Sequence, residues 1–80
     1  MAMNKLDPGE LFIVKWQYGL HGEFEATLAR LMVAADNFNL KRLKKSYPVE
    51  VEAFMKYKNE AGWWAGVKAK LKLNPAFGSL

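Results

Sequence analysis

The chain has no cysteine, one histidine, two serines and a single threonine in its 80 residues. Without Cys there is no disulfide and no thiolate-held zinc to reinforce so small a domain. A serine triad would have to join Ser46, His21 and Asp7 or Asp36, and no supporting signature surrounds them. Ser46 precedes Tyr47-Pro48, where a hydroxyl commonly serves a turn or cap. One His leaves carboxylates to hold any metal, which suits Mg²⁺ or Ca²⁺ better than zinc. Glu23 and Glu25 are two apart, as are Glu50 and Glu52, so on a helix each pair points to different faces. Gly9, Gly19, Gly22 and Gly62 lack the spacing and the Lys-Ser/Thr ending of a phosphate loop. The expectation is a protein that is not an enzyme and uses no metal or cofactor.

Long apolar runs are also lacking. Leu11–Val14 and Leu31–Ala35 are the longest, far short of the roughly 18–20 residues of a membrane span. Met1–Glu10 has no apolar stretch of a secretory signal. A cytoplasmic protein with no membrane partner is expected.

What is present is dense helix punctuation. Asp7 is placed to cap a helix, Pro8 suits its first position, and Glu10 suits the positive end of its dipole. The chain predicts an all-α fold, a compact bundle of four to five short helices at about 8–18, 22–35, 38–45, 48–59 and 63–73. A single domain over 1–74 and a loose tail over 75–80, where Phe77 could dock, complete this reading. Gly19 and Asp36-Asn37 end the first two helices, Ser46-Tyr47-Pro48 opens the fourth, and Asn74-Pro75 stops the fifth. Ala61-Gly62 interrupts the pattern only weakly. Inward faces are expected at Phe24, Leu28, Leu31, Met32 and Ala35; at Leu40 and Leu43; at Val51, Phe54, Met55 and the stem of Lys58; and at Trp64, Val67 and Leu71.

The net charge of +4 conceals a polarised chain. Residues 1–40 hold three cations and five anions, a net of −2, and residues 41–80 hold nine cations and three anions, a net of +6. The cations fall in three groups, Lys41-Arg42-Lys44-Lys45, Lys56-Lys58 and Lys68-Lys70-Lys72, interleaved with Tyr47, Tyr57, Trp63 and Trp64. Cations that neutralise phosphate beside rings that stack on bases suit a nucleotide or single-stranded nucleic acid. The competing reading is a set of solvated helix faces with core rings.

The first helix is apolar on more than one face, through Leu11, Phe12, Ile13, Val14, Trp16 and Tyr18. Such a helix is buried on all sides. A chain this short covers one helix with difficulty. Either this helix is central or its spare face meets a second subunit, so a homo-oligomer is expected, with a symmetric dimer as the simplest form. Lys15, Trp16 and Gln17 offer a cation, a ring and an amide to a ligand, or else a core ring between two exposed neighbours. His21, between Leu20 and Gly22, reads either as an anion ligand when protonated or as a turn residue with one local hydrogen bond.

Lys15-Trp16-Gln17-Tyr18, Gly22, Phe24, Leu28, Ala35-Asp36, Asn39-Leu40, Leu43, Tyr47-Pro48-Val49-Glu50-Val51 and Gly62-Trp63-Trp64 together span residues 11 to about 64. This set resembles small proteins encoded by phages and prophages to which no activity is assigned. The resemblance supplies no catalytic residue. It implies an accessory protein that acts by binding: blocking a host enzyme, coating nucleic acid, or sequestering a nucleotide signal of host defence. Phage inhibitors that imitate DNA are commonly acidic, so the basic half points to an anionic ligand instead.

The sequence therefore favours binding of a phosphate-bearing ligand, a nucleotide first, without turnover. The candidate cations are Lys15, Lys41, Arg42, Lys44 and Lys45, and the candidate rings are Trp16, Tyr47 and Trp64. The alternatives are single-stranded nucleic-acid binding by the same face, or a protein inhibitor or adaptor anchored by Trp16/Tyr18 or Trp63/Trp64.

Overall fold

The computed structural model describes residues 6–72. Five helices follow in order: α1 (Pro8–Gln17), α2 (Glu23–Ala34), α3 (Asn37–Ser46), α4 (Pro48–Asn59) and α5 (Trp63–Lys72). Among the described residues there is no strand, and no helix is long and apolar enough to cross a membrane. The fold is the expected all-α bundle. The expected tail at 75–80, Phe77 and the last residue assigned to the fifth helix lie outside the described residues.

The helix boundaries have local causes. The Asp7 carboxylate accepts the Glu10 N–H at 2.7 Å, and Glu10 Oε1 accepts the Asp7 N–H at 3.0 Å, closing a reciprocal cap on α1. Asp36 Oδ1 accepts the Asn39 N–H at 2.8 Å and starts α3. Tyr47 ends α3 and begins α4, with Pro48 at the first helical position. Gly19 at φ 68° and Gly62 at φ 84° take the left-handed conformation that side chains resist. The Gly62 break is therefore as firm as the Gly19 turn, stronger than its sequence signal suggests.

α1 is the central helix. Phe12 and Ile13 join Leu28, Ala29, Met32, Leu40, Val51, Ala53 and Phe54 in the main core. Val14, on another side of the same helix, packs with Val67 and Leu71 of α5. Gly9 lets α1 approach α4 closely: a Cβ added there would meet the Ala53 Cβ at 3.0 Å. Burying side chains such as Ile13, Val14, Met32 and Val51 contributes about 1.5–3 kcal/mol each. One chain thus covers the apolar first helix, and that helix needs no second subunit to cover it.

Two expected faces are corrected. On α2 the buried residues are Leu28, Ala29 and Met32, while Phe24 and Leu31 are 61% and 51% exposed. The helix turns its Leu28/Ala29/Met32 stripe inward because small Ala29 fits the core where the bulkier flank does not. On α4, Met55 and Lys58 face outward, and Ala53 and the half-buried Tyr57 take their place beside Val51 and Phe54. Ala53 sits under Gly9, where α1 and α4 approach closely.

Candidate functional site

α2 and α3 are consecutive helices joined through Ala35 and Asp36. The Phe24 and Tyr47 rings meet at 6.1 Å between centroids. At the junction of the two helices lies a groove of about 490 Å³ lined by Leu31 and Ala34 of α2, by Ala35, and by Asn39, Arg42 and Leu43 of α3. The floor is apolar because the outward flank of α2 carries Leu31, Ala34 and Ala35. The polar groups come from one side of α3, where Asn39 and Arg42 are three residues apart and so adjacent on the helix.

Arg42 has two neighbours on its own helix. One guanidinium nitrogen donates to Asn39 Oδ1 at 3.4 Å. The guanidinium carbon lies 5.8 Å from the centroid of the Phe38 ring, within reach of a cation–π attraction. Phe38 is 67% exposed. No carboxylate lines this groove, so Arg42 is its charge. A planar cation with spare donors beside apolar walls can take a phosphate or carboxylate while the rest of a ligand lies on the floor.

Two other cavities are electrostatically different. One of about 260 Å³ lies between Pro8, Phe12, Lys15, Leu20 and His21, with the Glu25 and Glu50 carboxylates in its wall. The His21 ring lies tilted against Phe12 at 4.5 Å between centroids, and both of its nitrogens are shielded from solvent. Burial lowers the His21 pKa; the Phe12 backbone and Glu25 oppose that shift and Lys15 adds to it. The imidazole is thus biased to its neutral form, the reverse of an anion ligand. The other cavity, about 250 Å³, carries Asp7, Glu10 and Glu52 against Lys56. Among the described residues no group of three or more His, Asp or Glu is arranged to hold a metal ion.

The eight candidate residues fall into separate places. Arg42 lines the α2–α3 groove, and Tyr47, outside that lining, meets Phe24. Trp16 packs on Phe54 at 5.9 Å and edge-on to Tyr57 at 5.5 Å, and Tyr57 meets Trp64 at 5.7 Å. Those tryptophans form a half-buried aromatic row, and Lys68 Nζ stands 6.0 Å from the Trp64 ring. Lys15 lines the His21 cavity. Lys44 is paired with Glu52 at 3.5 Å. Lys41 and Lys45 are exposed. On α3, Lys41, Lys44 and Lys45 stand at i, i+3 and i+4 and share one face, while Arg42 is turned away from them toward the groove.

The sequence reading missed Phe24, Leu31, Phe38 and Asn39 as surface groups. Asn39 and Phe38 had a usable signal, since they stand three and four residues before Arg42. Phe24 and Leu31 had a weaker one. α2 carries more large apolar residues than one core face needs. Compared with protein-family models, with curated proteins and with solved structures, the chain matches none.

Proposed function

We propose that the protein is a binding module without chemistry of its own, and that it holds a phosphate-bearing ligand, a nucleotide, in the α2–α3 groove. The observation that carries this reading is Arg42, braced by Asn39 and Phe38 at the edge of an apolar groove with no carboxylate in its lining. The base would lie against Ala35 and Leu43, and the phosphate would meet the guanidinium bidentately. Sequestering such a ligand in the cytoplasm fits the phage-type accessory role implied by the sequence resemblance. The groove volume of about 490 Å³ lies within the 300–1,000 Å³ usual for small-ligand sites.

Single-stranded nucleic acid is the poorer fit, because Trp16, Tyr57 and Trp64 are half-buried and packed edge-on against one another. The test is to denature purified protein, assay for released nucleotide, and titrate mononucleotides and cyclic nucleotides by calorimetry. Binding is expected in at least one case, and Arg42→Ala should weaken it about 10-fold or more, the scale of a lost charged hydrogen bond. No binding of any member at tens of micromolar overturns the proposal. Tight binding of an oligonucleotide with a steep salt dependence would transfer the function to the nucleic-acid reading.

A further inference from the structure

Five of the eight large apolar residues exposed on the described surface (Leu20, Phe24, Leu31, Val33 and Phe38) belong to α2, α3 or the turn before α2. Within α2 the outward residues Phe24, Thr27, Leu31 and Ala34 follow one another at spacings of three, four and three. That is the seam of a helix packed against another helix. The core uses the neighbouring stripe, Leu28, Ala29 and Met32, so the seam is surplus to the fold of one chain.

The charges beside the seam identify its occupant. Glu23 and Arg30 are seven residues apart, two turns along one edge, and both are exposed. Thr27 lies between them, donating to the Glu23 carbonyl at 2.8 Å and accepting from Arg30 at 3.1 Å. In a second copy packed in parallel about a two-fold axis, the two Glu23/Arg30 edges would lie on opposite sides of the contact and would not meet. Packed antiparallel about a two-fold axis, each glutamate meets the other copy's arginine, and the helix dipoles oppose favourably. The patch is complementary to itself.

We infer that the chain forms a two-fold dimer through antiparallel α2 helices, with Phe24, Thr27, Leu31 and Ala34 at the contact and Glu23 paired with Arg30 across it. Leu31 and Ala34 also line the α2–α3 groove, so the second copy walls one side of that groove. The dimer rests on the seam and its charges and does not require the groove to take a nucleotide.

The experiment is sedimentation equilibrium of the nuclease-treated chain from about 5 to 500 μM, with far-UV circular dichroism of every variant. A species of twice the 9.1 kDa chain mass is expected. Phe24→Glu, at an exposed position outside the groove lining, should raise the dimer Kd at least 30-fold while leaving helicity unchanged. Arg30→Glu should weaken the dimer severalfold, and Arg30→Glu with Glu23→Arg in one chain should restore it. Arg42→Ala should leave the dimer intact while weakening nucleotide binding about 10-fold or more, so the two proposals fail separately. A monomer at all concentrations, or an oligomer indifferent to both Phe24→Glu and the charge exchange, overturns the dimer.

Discussion

Lys70 Nζ lies 2.6 Å from Glu10 Oε2, across sixty residues of chain. The other oxygen of the same carboxylate accepts the Asp7 N–H. One side chain therefore closes the N-terminal cap of α1 and ties α5 to it. Glu10 is buried and Lys70 is partly exposed. Glu10→Ala is expected to cost about 2–4 kcal/mol, since it removes a cap and leaves a cation without its partner. Glu10→Gln, which keeps an acceptor for the cap, should cost about half as much. Urea denaturation of both variants checks this, and equal losses would separate the cap from the tie to α5.

Two glycine-to-alanine changes should move stability in opposite directions. At Gly9 the new methyl would stand 3.0 Å from the Ala53 Cβ and 3.4 Å from the Val49 carbonyl oxygen. Overpacking there should outweigh the gain in helix propensity and destabilise by about 1–2 kcal/mol. At Gly66, inside α5, nothing lies within 4 Å. Gly66→Ala should stabilise by about 0.5–1 kcal/mol. Thermal midpoints of the two variants give both signs in one measurement.

The His21 imidazole should make stability depend on pH. Burial lowers its folded-state pKa below the ordinary 6.5, so the unfolded chain binds the proton more tightly. The stability it contributes is complete above about pH 6.5 and falls as pH drops through the lower folded value. Lys15, Glu25 and Glu50 share its cavity. Comparing the wild type with His21→Leu between pH 7.5 and 5 isolates the imidazole. Parallel curves would show that it contributes nothing.

Trp16 is expected to matter for stability before it matters for any ligand. Its ring joins Phe54 and Tyr57, and Trp16→Ala should cost about 2–4 kcal/mol by cavity formation. Lys45→Ala, on an exposed position, should stay within about 0.5 kcal/mol of wild type. If a folded Trp16→Ala variant lost nucleotide binding with its stability unchanged, the ring would belong to the site and not to the core.

The helices were legible because their ends are chemical: Asp7-Pro8, Gly19, Asp36 and Pro48 act within a few residues of themselves. The rotation of each helix was less so. For α2 the sequence offers two overlapping apolar stripes, Phe24/Leu31/Ala35 and Leu28/Ala29/Met32, and only the neighbours in space decide between them. The groove depends on that same choice, since Leu31 lines it only because α2 turns Leu31 outward. Arg42 was readable as a candidate cation, but Lys44 was equally so until Glu52 was found beside it. Charge along a sequence reports how many cations there are; the helix period decides which of them share a direction.

The central position of α1 also bears on how the chain is made. Its Val14 contacts lie at Val67 and Leu71, and the anchor of its cap lies at Lys70. Synthesis proceeds from the N-terminus at about 5–20 residues per second. The most apolar helix is therefore translated first and waits roughly 3–12 s for those partners to be polymerised. During that interval Val14 is without its partners, and completion of α5 is the step that covers it.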